Sequence, residues 1–141
     1  MAITQAATTS FKADMIKAVH NLDAAGDTIK IALYTSAATM DATTTVYSAT
    51  NESVGAGYVA GGNTLAGQIV TTSGTTAYAD FSDSTWAASS VTARGALIYN
   101  FSKTNKSIVV LDFGADKTSA ASNFVITFPS ADATNAIIRI S

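Results

Sequence analysis

The feature that most constrains the fold is a repeated alternation of apolar and polar residues in short runs that begin near residue 28. From Ile29 to Tyr34 the large apolar residues occupy every second position, as in a strand with one face buried and the other partly exposed. Similar runs recur about every ten residues. The pattern predicts about eight strands, with the others at residues 44–49, 63–72, 75–82, 90–101, 106–113, 122–128 and 135–140.

The links between these runs are short and consist of turn-forming residues. Ser73-Gly74, Thr104-Asn105 and the segment 114–116 each stand between two predicted strands. Such links leave no room for crossover helices, so the strands pair antiparallel. We therefore predict a mainly β protein, an antiparallel β-sandwich of jelly-roll-like type, with residues 1–141 forming one domain.

One short helix is predicted near the N-terminus. Ser10 is the expected N-cap and Gly26 lies near the expected end. Between them the large apolar residues are spaced by four, four and three positions, which places them on one helix face: Phe11, Met15, Val19 and Leu22. Residues 1–10 are expected to form an extended N-terminal arm that contacts a partner.

Composition excludes several classes of protein. The chain has no cysteine, so disulfides and cysteine zinc sites are absent. Only 13% of the residues are charged and the net charge is -2, which gives no basic surface for nucleic acid. No apolar run reaches the length of about 18 residues that a membrane span needs. We expect a soluble protein that binds neither nucleic acid nor membranes.

The search for catalytic or metal-binding groups finds little. His20 is the only histidine, so a metal site or a catalytic triad has no second partner of this type. Asp80 with Asp83, and Asp112 with Asp116, lack the spacing of a calcium loop, and their expected role is to hydrogen-bond nearby backbone. The sequence therefore predicts no enzyme, no cofactor, no metal and no small-molecule substrate.

Two segments of small residues are the expected contact surfaces, namely residues 35–45 and 51–68. The second contains five glycines, but their spacing fits no phosphate-binding loop. Tyr47 and Tyr58, in and beside these segments, are candidate interface residues because an aromatic ring supplies area and a hydroxyl supplies direction. Most other aromatic residues are expected in the core or packed on a sheet: Trp86, Tyr99, Phe101, Phe113, Phe124 and Phe128.

Two arginines are further interface candidates. Arg94 and Arg139 lie within predicted strands among small or apolar residues, where a guanidinium often meets a carboxylate of a partner. The alternative is a solvated side chain on an exposed sheet face.

Six stretches resemble a family of small virion structural proteins of tailed bacteriophages. They run from the end of the helix to the last strand and consist of packing and turn motifs: IKIALYTSAAT (29–39), VYSATNE (46–52), GYVAGGNTLAG (57–67), TARGALIYN (92–100), VLDFGADKT (110–118) and FPSADATNAIIRI (128–140).

The resemblance implies a component of the virion, made in the cytoplasm of the bacterial host. For a chain of this size it implies a capsid decoration, or cement, protein that binds the major capsid protein and stabilises the head. Three-fold positions of a shell suggest a homotrimer. The alternatives are a protein of the tail, neck or fibre, and a module that binds a receptor or glycan. A polysaccharide-degrading enzyme that uses Glu52 with an aspartate is the most remote alternative.

Overall fold

A computed structural model describes residues 2–141. The fold is mainly β and sandwich-like with antiparallel sheets and one α-helix, which confirms the predicted class. The elements in chain order are β1 (Ala6–Ala7), α1 (Thr9–Ile16), β2 (Ile29–Tyr34), β3 (Asn63–Thr64), β4 (Ile69–Ser73), β5 (Thr76–Asp80), β6 (Ser84–Ser89), β7 (Thr92–Asn100), a 3-10 turn (Phe101–Lys103), β8 (Lys106–Thr118), β9 (Ser122–Ile126) and β10 (Ile138–Ile140).

The strands form three sheets. The largest has the order β1-β8-β7-β2-β3, and the long β7 and β8 form its centre. A second sheet has the order β10-β5-β4, and a third consists of β6 and β9. All strand pairs are antiparallel.

The centre of the five-stranded sheet is largely buried on both faces, whereas the end of β8 is exposed. On one face Ile29, Ile31 and Leu33 pack in a large core with α1 and the two smaller sheets. On the other face Ala32 and Tyr34 belong to a second cluster formed with the N-terminal segment and the loop near residue 40. This second face of β2 is partly exposed only at Lys30, because the chain folds back over Ala32 and Tyr34.

Several strand boundaries differ from the predicted ones. Residues 44–49 contribute only an isolated bridge from Val46 to Lys106. The turn before them is held by Asp41, whose Oδ1 accepts from the N–H and the hydroxyl of Thr43. The run 63–72 divides into β3 and β4 at Gly67, where φ is +63°. β6 was not predicted, since its small residues show no apolar alternation.

The helix begins earlier and ends earlier than expected. Thr8, not Ser10, is the N-cap, and its Oγ1 accepts from the N–H of Phe11. The helix ends where Ala18 adopts φ +58°, with the N–H of Val19 bonded to the carbonyl of Asp14. No helix within residues 2–141 has the length and hydropathy needed to cross a membrane.

The expected N-terminal arm lies on the sheet; residue 1 is outside the described residues. Ile3 is buried, the N–H of Thr4 bonds to the carbonyl of Met40, and β1 pairs with β8 at Val109 and Val110. Contact of this segment with a partner stays a prediction.

The predicted core aromatics are largely buried, with one exception. Phe101 is 56% exposed, and the ammonium group of Lys30 lies over its ring, 5.2 Å from the centroid. It begins the 3-10 turn after β7, so its side chain points out of the core. Of the two predicted places, core or sheet surface, the core is excluded for Phe101.

Candidate docking loop and the Glu52 cluster

A buried carboxylate organises the segment between β2 and β3. The Oε1 atom of Glu52 accepts from the hydroxyl of Tyr58 at 2.6 Å and from the N–H of Gly61 at 2.7 Å, and its Oε2 accepts from the hydroxyl of Tyr47 at 2.6 Å. Glu52 is 8% exposed. These four residues are called the Glu52 cluster. The cluster satisfies the carboxylate without a cation, through three charge-assisted hydrogen bonds.

The Glu52 cluster is attached to the central sheet by further hydrogen bonds. The N–H of Ser53 donates to the carbonyl of Leu33, and the N–H of Leu33 donates to the hydroxyl oxygen of Tyr58 at 2.9 Å. The hydroxyl of Tyr99 on β7 donates to the carbonyl of Gly61 at 2.7 Å. The segment is therefore held at both ends against β2 and β7.

The tyrosines around Glu52 remain protonated at neutral pH. Burial raises the pKa of Tyr58 and of Tyr47, and the hydrogen bond to the Glu52 carboxylate raises it further. Burial, with the charge of Glu52, raises the pKa of Tyr99 to about 12. The rings of Tyr47 and Tyr99 stack with centroids 4.7 Å apart. The phenols are thus fixed as donors.

Residues 53–60, called the docking loop, project from this support. Val54 is 85% exposed and Val59 is 76% exposed, and no residue of the loop is charged. The loop is also bonded at its middle, where the N–H of Ser90 donates to the carbonyl of Ala56 and the N–H of Tyr58 donates to that of Gly55. The arrangement presents two apolar side chains to solvent on a backbone that is already ordered.

The structure brings together two of the four predicted interface residues. The hydroxyls of Tyr47 and Tyr58 both bind Glu52, so they shape the docking loop from within the chain. Arg94 pairs with Asp112 of the same chain, with 3.1 Å between Nε and Oδ1. Arg139 is exposed on β10, and its Nη1 lies 3.4 Å from the carbonyl of Ala133. Contact of any of the four with a partner stays a prediction.

The aspartate pairs make mostly backbone contacts. Asp112 accepts from the N–H of Gly114 and from Arg94, and both lower its pKa. Asp83 accepts from the N–H of Phe128. Burial raises the pKa of Asp80, whose Oδ1 has no hydrogen-bond donor. Among residues 2–141 there is no group of three or more histidine, cysteine, aspartate or glutamate side chains that could hold a metal ion.

His20 belongs to a buried polar cluster beneath α1. Its Nδ1 lies 2.9 Å from Nδ2 of Asn100, and the same Nδ2 donates to Asp27 at 2.8 Å. Its Nε2 lies 3.7 Å from Oδ2 of Asp14, which also pairs with Lys106 at 2.9 Å. Asn100 Oδ1 accepts from the backbone and so orients its Nδ2 towards His20, whose Nδ1 must therefore accept. The neutral ring is hydrogen-bonded to β7 through Asn100, and its Nε2 has no hydrogen-bond partner.

Comparison of the chain with protein-family models, curated proteins and solved structures finds no match.

Sequence reasoning did not identify the docking loop residues Val54 and Val59, or the role of Glu52. One feature could have drawn attention to Glu52, which is the only charged residue between Asp41 and Asp80. An isolated carboxylate in a long uncharged segment either faces solvent or has dedicated donors. Two tyrosines within six positions of it favour the second case.

Proposed function

We propose that this chain is a structural virion protein of a tailed bacteriophage, a capsid decoration protein that binds the major capsid protein and stabilises the head. Two things support the proposal. One is the resemblance of six stretches to small phage virion proteins. The other, which carries the argument about mechanism, is the docking loop, an ordered and uncharged segment with exposed Val54 and Val59.

The Glu52 cluster favours binding of the docking loop to another protein because it holds the loop in one conformation. A loop that is ordered before binding loses little conformational entropy on docking, so more of the contact energy appears as affinity. Burying two exposed valines contributes about 2–4 kcal/mol. One copy therefore binds weakly, and association among copies on a repeating shell raises the overall affinity. The number of associating copies, which the resemblance suggests is three, stays a prediction.

The location on the particle is tested by copy number. Gel densitometry of purified virions against the major capsid protein gives on the order of hundreds of copies if the chain decorates the head. A tail, neck or fibre protein gives a few dozen copies at most, because these structures have low-order symmetry. The lower count would move the proposal to one of those sites. Absence of the chain from virions would overturn it.

The docking loop is tested by adding purified protein back to heads that lack it. Val54→Asp and Val59→Asp place a charge in the proposed contact and should each weaken binding about tenfold or more. Val125→Asp is the matched control, since Val125 is an exposed valine on β9 outside the loop. Equal binding by all three variants would show that the docking loop is not the contact.

The variant Glu52→Gln tests whether the ordering of the docking loop, and not only its exposed valines, contributes to binding. Glutamine keeps the size of the side chain, but it loses the charge and presents an amide to hydroxyl donors. We expect a folded protein whose docking loop is more mobile and which binds heads more weakly, although Val54 and Val59 are unchanged. Hydrogen exchange of the loop amides checks the first effect, and the add-back assay checks the second. Undiminished binding by a loosened loop would contradict the role of preorganisation.

The glycan-binding alternative has no supporting observation in the loop. Glycan recognition would be favoured by an exposed aromatic ring in the Gly-rich segment. Tyr58 is half-buried, its ring centroid lies 6.0 Å from that of Trp86, and its hydroxyl is bonded to Glu52. The exposed residues of the loop are aliphatic.

A further inference from the structure

Strand β4 leaves one edge of the three-stranded sheet open. Its five residues contain no charge and no proline, and Ile69 and Val70 are 44% and 43% exposed. In the described part of the chain, no backbone hydrogen bond from another element reaches this edge. An uncharged, β-branched edge of five residues is a template for another strand.

The turn at the end of β4 determines which backbone groups point outward. Gly74 and Thr75 form a two-residue turn, so Ser73 and Thr76 form a hydrogen-bonded pair. Hydrogen-bonded and non-hydrogen-bonded pairs alternate along an antiparallel ladder. Val70 and Thr72 therefore direct their N–H and C=O groups away from β5, to the open edge.

The other sheet edges are less suited to pairing. β1 and β3 have two residues each, and β10 has three and carries Arg139. The edge of β6 is covered, because Asn63 donates to the carbonyl of Thr85 and Ser90 pairs with Ala56. The free edge of β9 faces a cleft that is lined on its other side by the end of β8, including the charged Lys117. Most of these edges have the short length, charge or cover that prevents strand addition, and β4 has none.

The sequence of β4 fits a second copy of itself. A two-fold axis at Thr71 places Val70 opposite Thr72 of the other copy, and these residues point their backbone groups at each other. Four N–H···O=C bonds result. The axis also places the two Thr71 side chains face to face, a pairing that favours antiparallel strands. Because β4 has no charged residue, two copies of the strand can pair without repulsion between like charges.

We propose that the protein self-associates through β4, forming a two-fold dimer with a continuous six-stranded sheet. The inference does not rest on the capsid assignment, since it concerns the protein alone. It replaces the three-fold association that the resemblance suggests with a two-fold one. The contact is short, so the dimer is weak and forms in the micromolar to millimolar range.

Sedimentation equilibrium of the purified full chain tests the dimer. Between about 1 µM and about 1 mM protein, the weight-average mass should rise from 14.4 kDa towards twice that value and no further. A mass that stays at one copy throughout, or that rises to three copies, would overturn the proposal. Neither result bears on docking to heads, which is measured with the docking-loop variants.

Two variants locate the contact. Thr71→Lys brings two ammonium groups together at the two-fold axis and should raise the dissociation constant about tenfold or more. Thr72→Pro removes an outward N–H that β5 does not use and should have the same effect. Thr75→Lys is the control, because it adds the same charge in the turn of the same hairpin and should leave the dimer unchanged. Dimers that tolerate both Thr71→Lys and Thr72→Pro would exclude β4.

Discussion

Gly62 combines two constraints at one residue. Its φ is +75°, a value that side chains with a β-carbon rarely adopt, and a β-carbon placed on it would lie 1.8 Å from the carbonyl oxygen of Ile31. Gly74 has a similar φ of +58°, but no atom outside its chain neighbours lies within 4 Å of the same position. Substitution of Gly74 therefore tests the cost of the positive φ alone, and substitution of Gly62 tests that cost together with a steric clash.

We predict that Gly74→Ala lowers the free energy of unfolding by about 1 kcal/mol, the cost of a positive φ alone. Gly62→Ala should lower it by more than about 3 kcal/mol, because the loop must also move away from β2. Urea unfolding followed by Trp86 fluorescence measures both. Similar losses for the two variants would show that β2 yields to the added methyl group.

Tyr47 and Tyr58 show which features of the site can be predicted from the sequence and which cannot. Residue type and location single out Tyr47 and Tyr58 as candidate interface residues. Their partner is not predicted, because the contact between Tyr47, Tyr58 and Glu52 depends on how the segment folds back onto β2. A hydroxyl that was expected to face another protein instead faces a carboxylate of its own chain. The choice between these two roles is made by tertiary structure alone.

At the scale of elements, the helix shows which predictions were reliable. The apolar spacing correctly indicated a helix at Phe11, and Leu22 is buried as expected although it lies beyond the helix. The boundaries were wrong because long-range contacts decide them. Thr8 serves as the N-cap where its hydroxyl also meets Ser107 of β8, and the reversal at Ala18 turns the chain before the apolar spacing ends.

The stability of the fold should depend on pH through His20, which is buried beside Asn100 of β7. Burial lowers the pKa of His20, against the opposing attraction of Asp14 and Asp27, while Lys106 and Lys103 lower it further. The unfolded chain then binds a proton more readily than the folded one. Stability is full above pH 6.5 and falls as the pH drops below that value, by up to about 1.4 kcal/mol per pH unit.

Urea unfolding between pH 7 and pH 5 tests this dependence. The control is His20→Gln, whose amide oxygen can still accept from Asn100 but does not titrate. The wild-type protein should lose stability over this interval and the variant should not. The pKa values of Asp14 and Asp27 are lowered, so their own contribution is lost only at lower pH. A pH dependence shared by both proteins would assign the effect to other groups.

At the scale of the whole molecule, the sequence predicted the class of fold but not how the sheets are covered. Alternation and turn residues specify antiparallel strands, so the prediction of a mainly β, sandwich-like fold is confirmed. Burial of the second face of β2 depends on Ile3, Met40 and Tyr47, which lie far from β2 in sequence or outside any strand. Short-range periodicity carries no information about such a cover. The segment that contains the docking loop is predicted as a contact surface, but the exposure of Val54 and Val59 within it is not, for the same reason.

Four buried or half-buried tyrosines predict a steep loss of stability in alkali. Tyr34, Tyr47, Tyr58 and Tyr99 all have pKa values raised by burial and by the charge of Glu52. The folded state therefore holds its phenolic protons above the pH at which the unfolded chain releases them. Stability is full below pH 10 and is lost as the pH rises above it, by up to about 5 kcal/mol per pH unit when four phenols act together. Since domains are stable by only about 5–15 kcal/mol, the protein should unfold within one to three pH units above 10.

Ultraviolet absorbance of phenolate and circular dichroism, recorded in one alkaline titration, test this prediction. Phenolate from these four tyrosines should appear in a single cooperative step together with the loss of β structure. The reference is the protein in guanidinium chloride, where the tyrosines should titrate independently near pH 10. If the folded protein formed phenolate gradually near pH 10 with an unchanged dichroism spectrum, the hydroxyls around Glu52 would be accessible to solvent. The Glu52 cluster would then not be the closed support that orders the docking loop.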